Sequence, residues 1–157
     1  MSVDAGADAI WPWLVQIGPG RGGAYTYDWI ENLLGLNMHS VDDILPEFQN
    51  LSVGDTFALG DRGPTMRVAV LDPARALVFS STEGNWVWAF ALYPDGHRTR
   101  LVSRNRIAPS ASPAARLINR LIMEPGSWVM ERKMLLGIKH RAERRDATGP
   151  VITPEPV

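Results

Sequence analysis

The connections between five strand-like segments constrain the fold of this chain more than any other feature of its sequence. From Asp55 onward the spacing of apolar side chains changes from about 3.6 residues to about 2, the period of a strand. The segments are joined by turn sequences such as DRGP and PDGH, which are too short to hold a crossover helix. The strands are therefore predicted to pair in a mostly antiparallel meander. The predicted strands are residues 55–60, 65–71, 74–81, 85–94 and 98–107.

Helical periodicity lies on both sides of this predicted sheet. Because the helices are segregated from the hairpin-linked strands, the pattern is typical of the α+β class. Pro125 is expected to separate the last two helices, since proline cannot continue a helix interior. The domain is predicted to span residues 1–146, followed by a proline-rich, disordered tail at residues 147–157. The predicted helices are residues 9–17, 26–35, 113–122 and 127–145.

Composition and charge exclude several classes of function. The chain of 157 residues has no cysteine, which excludes a disulfide framework and thiol nucleophiles and favours a reducing compartment. The net charge of −1 supplies no field that would attract nucleic acid or anionic lipid. No apolar run approaches the length of a membrane span, and the N-terminus lacks the features of a signal peptide. We therefore expect a cytoplasmic protein that binds no nucleic acid and does not insert stably into membranes.

The segment GPGRGG at residues 18–23 matches the G-x-G-x-x-G fingerprint of dinucleotide sites. Asp42 and Asp43 follow about twenty residues later, as that fingerprint requires. The context opposes the assignment, because a Rossmann turn needs a preceding strand and parallel βαβ units. A loop that uses the conformational freedom of glycine is the better interpretation. Arg21 in this loop is predicted to be solvated, or to meet an anionic group at a pocket mouth.

Metal and cofactor sites are not indicated. His39, His97 and His140 are far apart in the sequence, and ordinary loop polarity explains the group of His39 with Asp42 and Asp43. The order of residues also contains no G-x-S-x-G elbow and no serine triad. We expect neither a metal nor a cofactor.

The predicted strand 85–94 has one bulky face and one small face. Its aromatic residues alternate with Val87, Ala89 and Ala91. The next strand carries four arginines on one face, which we interpret as the solvated convex side of the sheet. The concave side would then present an apolar pocket. All six tryptophans are predicted to mark core or pocket walls, because burial of an indole requires partners for its ring and its N–H. They are Trp11, Trp13, Trp29, Trp86, Trp88 and Trp128.

Two helices add candidate residues to this pocket. The second helix spaces Trp29, Leu33 and Leu36 at helical intervals. The last helix carries an apolar arc with Glu131 in its middle. A carboxylate on an apolar stripe is either paired with a cation or backbone donor, or poised for proton chemistry, and both interpretations stay open. The arc consists of Trp128, Met134, Leu135, Ile138 and Ala142.

Three stretches resemble one subgroup of the START/SRPBCC superfamily, the helix-grip proteins labelled polyketide-cyclase or lipid-transport-like. They are WPWLVQIGPGRGGAYTYDWIENLLGL, HSVDDILPEFQNLSVGDTF and WVMERKMLLGIKHRAE, within residues 8–145. The resemblance implies a strand, two short helices and an antiparallel sheet that grips a long helix. Members of the superfamily bind lipids or hormones, or cyclise polyketides, so the fold alone does not define the chemistry.

The sequence departs from this family at its first strand. Only MSVDAGADA precedes the first helix, so the first strand is predicted to be missing or reduced to a stub. The neighbouring sheet edge would then be open, which favours strand addition from a second copy of the chain. A homodimer through this edge is therefore expected as one partner interaction.

Three functions follow as hypotheses. The leading one is binding of a small hydrophobic ligand or lipid in an internal cavity. The second is a cyclase-like or hydratase-like enzyme that uses Glu131 with His39 or Tyr27, which requires these groups to converge on one pocket. The third is a non-catalytic, self-associating scaffold with a filled interior. The predicted ligand-binding residues are Trp29, Trp86, Trp88, Phe90, Trp128, Glu131 and Met134.

Overall fold

The structure is a computed structural model and describes residues 1–33, 35, 37–60, 63–108 and 124–148. The predicted helix at 113–122 and residues 149–157 of the predicted tail lie outside these ranges. The helices are α1 (Ala7–Val15), α2 (Asp28–Leu33) and α3 (Glu124–Thr148), with a 3-10 turn at Pro46–Phe48. The strands are β1 (Ser2–Val3), β2 (Thr56–Ala58), β3 (Thr65–Asp72), β4 (Ala76–Ser81), β5 (Trp86–Asp95) and β6 (Arg98–Ile107).

The strands form one curved antiparallel sheet in the order β1-β6-β5-β4-β3-β2. Consecutive strands from β2 to β6 are neighbours, as short turn sequences require. The long helix α3 contacts α1, β1 and β6. The predicted α+β class and helix-grip architecture are therefore confirmed.

The first strand is a stub of two residues. Ser2 pairs with Arg100 and Val3 with Thr99, and the amino group of Met1 donates a hydrogen bond to the carbonyl oxygen of Leu101 at 2.7 Å. Within the described ranges, no strand pairs with the rest of β6 on this side. The open edge carries exposed arginines, a type of residue with which natural edge strands resist sheet extension. The expected homodimer stays a prediction.

The starts of the three described helices differ from the sequence prediction, and α2 begins at Asp28, two residues later than predicted. α1 begins two residues earlier than predicted, with Gly6 in the N-cap position, so Asp8 lies in the first turn and does not cap the helix. α3 begins at Glu124, three residues earlier than predicted. Pro125 then lies in the first helical turn, where its missing N–H has no intrahelical partner to lose.

The glycine-rich segment at residues 18–23 is a tight loop that returns the chain from α1. Gly18 and Gly23 form an isolated bridge, and both have positive φ angles, of 132° and 76°. The prediction of a solvated Arg21 is wrong. Its Nη2 donates a hydrogen bond to the carbonyl oxygen of Val15 at 2.9 Å, and its guanidinium lies 4.6 Å from the ring centre of Phe48. Arg21 therefore stabilises the C-terminus of α1, where a cation is favourable.

Tyr25 joins the N-terminal layer to α3. Its side chain is fully buried, and its hydroxyl donates a hydrogen bond to the carbonyl oxygen of Trp13 at 3.0 Å. The Arg141 guanidinium of α3 lies 4.8 Å from the Tyr25 ring centre. A Cβ atom on Gly137 would lie 2.4 Å from the Tyr25 carbonyl oxygen, so only glycine allows this approach.

We predict that Gly137→Ala lowers the free energy of unfolding by about 1–3 kcal/mol, because the added methyl group meets backbone that cannot move easily. Gly126→Ala in the same helix is the matched control, since a Cβ atom there has open space. This control should change stability by between about 0 and +1 kcal/mol, as alanine favours helix. Urea unfolding followed by circular dichroism measures both. Equal effects of the two substitutions would contradict the close contact.

Candidate functional site

A cavity of about 220 Å³ lies between the sheet and the helices α2 and α3. Its described lining is mainly apolar, with five polar side chains among the lining residues. Since ligand pockets are commonly apolar with a few polar groups, this is the leading candidate site. The described lining residues are Ala24, Thr26, Glu31, Met38, Leu59, Gly63, Pro64, Trp86, Trp88, Asn105, Ser127, Met130, Glu131 and Met134.

The two indoles of β5 form the sheet side of the cavity. Strand alternation places Trp86 and Trp88 on the same face. The ring of Trp88 packs at 5.0 Å from Phe90 and 6.1 Å from Phe79, measured between ring centres. Trp86 Nε1 donates its hydrogen bond to Asn105 Oδ1 on the neighbouring strand. Both indoles are thereby fixed before any ligand arrives.

The structure brings four of the seven predicted site residues to the cavity, and they are Trp86, Trp88, Glu131 and Met134. Phe90 is buried against Trp88 and lies outside the described lining. The prediction that Trp29 and Trp128 form pocket walls is wrong, because they are 69% and 66% exposed. Both lie on the outer sides of their helices, and helical spacing alone does not tell the inner side from the outer side.

The partners proposed for Glu131 in an enzyme do not reach the described lining of the cavity. His39 is exposed. Tyr27 is 37% exposed, and the Lys133 ammonium lies 5.5 Å from its ring centre. The lining instead brings Glu131 together with a second carboxyl group, that of Glu31.

Glu31 is the functional candidate that sequence reasoning missed. Only 4% of its surface is exposed, whereas Leu33 of the same short helix is 80% exposed. In the part of the chain that the structure describes, Glu31 Oε2 and the nearby Thr26 Oγ1 are buried without hydrogen-bond partners. α2 thus directs a carboxyl group inward and apolar side chains outward, the reverse of an ordinary surface helix.

Hydrogen bonds at both ends hold α2 in this orientation. Asp28 accepts hydrogen bonds from the backbone N–H of Ser40 at 2.8 Å and from its hydroxyl at 2.6 Å. Asn32 donates to the carbonyl oxygen of Met38 at 3.0 Å and accepts from its N–H at 2.6 Å. Met38 itself lines the cavity. The hydrogen bonds of Asn32 with Met38 therefore position both this lining residue and the helix that carries the Glu31 carboxyl group.

Burial raises the pKa of the Glu31 carboxyl above its ordinary value. The Thr26 hydroxyl lies close enough to lower this pKa in part, although the two groups do not meet the geometry of a hydrogen bond. The nearby Asp28 carboxylate raises the pKa further. An unpaired buried carboxylate is unfavourable, so burial without a partner increases the affinity of Glu31 for a proton or for a cationic partner. Glu31 can therefore donate or accept a proton, or pair with a cation that enters the cavity.

A metal centre is not indicated by the described residues. Within the ranges that the structure describes, no group of three or more His, Asp or Glu side chains could hold a metal ion.

The helices of these ranges also include none with the length and apolar character needed to cross a bilayer.

Comparison with a solved structure at a TM-score above 0.5 supports the fold. Protein MLL2253 from Mesorhizobium loti matches at a TM-score of 0.51 and 15% identity, over 93% of this chain and 96% of that one. The Aha1 dimer from Colwellia psychrerythraea gives a TM-score of 0.48 at 16% identity, over 91% and 92%. A polyketide-cyclase-like protein from Corynebacterium glutamicum gives 0.43 at 16%, over 94% and 86%. At these identities the likeness concerns the fold alone.

No protein-family model matches the chain, and no curated protein does either. The class of this protein therefore rests on its fold and on its candidate site. The chain is an α+β protein of helix-grip architecture, with an apolar cavity that contains two carboxyl groups.

We predict that Glu31→Gln stabilises the protein at neutral pH more than at pH 4. Because its pKa is raised in the folded state, Glu31 binds its proton more tightly in the folded protein than in the unfolded chain. The bound proton therefore stabilises the folded state below the unfolded pKa, and this stabilisation is lost as the pH rises through the folded pKa. Each unit by which the pKa is raised lowers the stability of the folded protein by about 1.4 kcal/mol once Glu31 is ionised. The neutral amide of glutamine does not ionise and so does not lose this stability. Urea unfolding of both proteins from pH 4 to 8 measures the difference.

Glu143→Gln is the control, and the opposite effect on stability at neutral pH is expected for it. Burial alone would raise the pKa of Glu143, but hydrogen bonds from Lys139 Nζ and the Asp4 backbone N–H lower it. Its contribution is therefore present above the unfolded pKa and lost at acidic pH, so the substitution should destabilise only towards neutral pH. If Glu31→Gln behaves as this control does, Glu31 is not buried unpaired.

Proposed function

We propose that the protein binds a small, largely apolar molecule in the cavity between its sheet and α3. The observation that supports this proposal is the cavity itself, since its walls are fixed aromatic and methionine side chains. Helix-grip architecture and the resemblance of the sequence to START/SRPBCC proteins agree with this function, and we extend the proposal to membership of that superfamily. The lack of cysteine makes a cytoplasmic location part of the same proposal.

The size of the cavity favours a small molecule over a lipid with long chains. Ligand pockets commonly measure about 300–1,000 Å³, and the cavity of about 220 Å³ lies just below this range. Binding energy would come mainly from burial of apolar surface, at about 25 cal/mol per Å² before the losses of ordering. A ligand with one short chain or one ring system fits these limits best.

We predict that Trp88→Ala and Ala24→Leu both reduce ligand binding. The first removes part of a wall, and the second fills space, because Ala24 lines the cavity and is 4% exposed. Native mass spectrometry of freshly purified protein should detect an apolar adduct on the wild type, and both variants should lose most of it. Circular dichroism establishes that each variant is folded.

Trp128→Ala is the matched control, since this indole is exposed and lies outside the described lining. It should keep the adduct. If Trp128→Ala loses the adduct while Ala24→Leu keeps it, the ligand binds elsewhere and the proposal fails.

A cyclase-like or hydratase-like enzyme is the second candidate. Two carboxyl groups in one cavity favour it, and Glu31 with its raised pKa takes the place first assigned to His39 or Tyr27. With a small conjugated enone as probe, this alternative predicts that the wild type adds water and the enone absorbance disappears. Glu31→Gln should bind the probe without consuming it. Binding by the wild type with unchanged absorbance would contradict hydratase activity on enones.

A further inference from the structure

The charged residues in the described lining of the cavity are all acidic. Among its described lining residues, Glu31 and Glu131 are acidic and none is Lys, Arg or His. The carboxyls come from different helices, α2 and α3, so the arrangement belongs to the assembled fold and not to one helix. A ligand that carries positive charge would therefore be favoured over a neutral or negative one.

Glu31 supplies a second and independent observation. Its side chain is more than nine-tenths buried, it lines the cavity, and its Oε2 has no partner within the described part of the chain. Buried polar groups in proteins are almost always hydrogen-bonded, and an exception requires an explanation. A ligand group that occupies this end of the cavity would provide the missing partner.

The type of group follows from the hydrogen-bonding atoms that lack partners. Glu31 Oε2 accepts hydrogen bonds, and Thr26 Oγ1 can accept as well. An ammonium group offers three donors and no acceptor, whereas a carboxylate ligand offers only acceptors and would repel Glu31. The donors of an ammonium therefore match both oxygen atoms.

The aromatic wall favours the same charge. Trp86 and Trp88 line the cavity, and indole is the side chain that best attracts a cation to its ring face. Such attraction is larger in a desolvated site than at an exposed one. Carboxyl groups and indoles in one apolar cavity are thus a suitable environment for an amine that also has an apolar body.

We propose that the ligand of this cavity is a small apolar molecule with a protonated amine, whose ammonium group binds Glu31 and Thr26. This inference rests on the proposed function and names the chemical class of its ligand. Glu131 adds negative charge to the same cavity, and the remaining walls contact the apolar body.

The test compares three probes that have the same chain length and different head groups, namely hexylamine, hexanol and hexanoate. Isothermal titration calorimetry at pH 7 should give the tightest binding for hexylamine, at least about tenfold tighter than for hexanol, since hydrogen bonds between charged groups are stronger than those between neutral groups. Hexanoate should bind most weakly. Glu31→Gln should remove the preference for hexylamine and leave the affinity for hexanol within about twofold.

Glu83→Gln is the control for net charge, because Glu83 is exposed and lies outside the described lining. It should retain the preference for hexylamine. If Glu31→Gln does not fold, Thr26→Val tests the same end of the cavity with a side chain of similar shape, and a loss of about threefold or more for hexylamine alone is expected.

The outcomes separate this inference from the proposed function. Equal affinity for hexylamine and hexanol overturns the amine inference and leaves the apolar site intact. Tightest binding of hexanoate also overturns it and indicates a cation in the site. If none of the three probes binds, and the native adduct is absent as well, both the inference and the proposed function fail.

Discussion

The contact between Tyr25 and α3 determines where the rest of the site lies. Gly137 approaches the Tyr25 backbone closely, and Arg141, one turn later, covers the Tyr25 ring and donates a hydrogen bond to the carbonyl oxygen of Val41 at 2.8 Å. Burial raises the pKa of the Tyr25 hydroxyl, which stays protonated and donates to the first helix. Because a helix is stiff and rises about 1.5 Å per residue, this anchor also fixes Glu131, about two turns earlier.

Aromatic packing explains why the space next to α3 is not filled by collapse of the sheet. Phe57 meets Phe79 edge to face at 5.2 Å, and Phe79 packs on Trp88, which packs on Phe90. Each ring in this series packs against the next one, so Trp88 cannot move into the cavity without the loss of several contacts. A site that is formed before binding avoids part of the ordering cost that a ligand would otherwise meet.

The sheet and the long helix could be predicted from the sequence, because both depend on local regularity. The alternation along residues 85–107 and the short turns determine strand order, and the apolar arc through Ile138 and Ala142 identifies the buried side of α3. The outward positions of Trp29 and Trp128 could not be predicted. In a helix of six residues, or near the start of a longer one, few neighbours define the buried side, and tertiary contacts decide it.

Glu31 illustrates why the site was harder to predict than the fold. Hydrophobic patterning assumes that each helix buries its apolar side, and α2 violates this assumption because the hydrogen bonds of Asp28 and Asn32 outweigh it. Burial of an unpaired carboxyl group lowers stability, and so does exposure of Trp29 and Leu33 to water. Natural sequences keep such locally unfavourable arrangements mainly where function requires them. The inverted helix is thus itself an argument that the cavity is a binding site and not a packing defect.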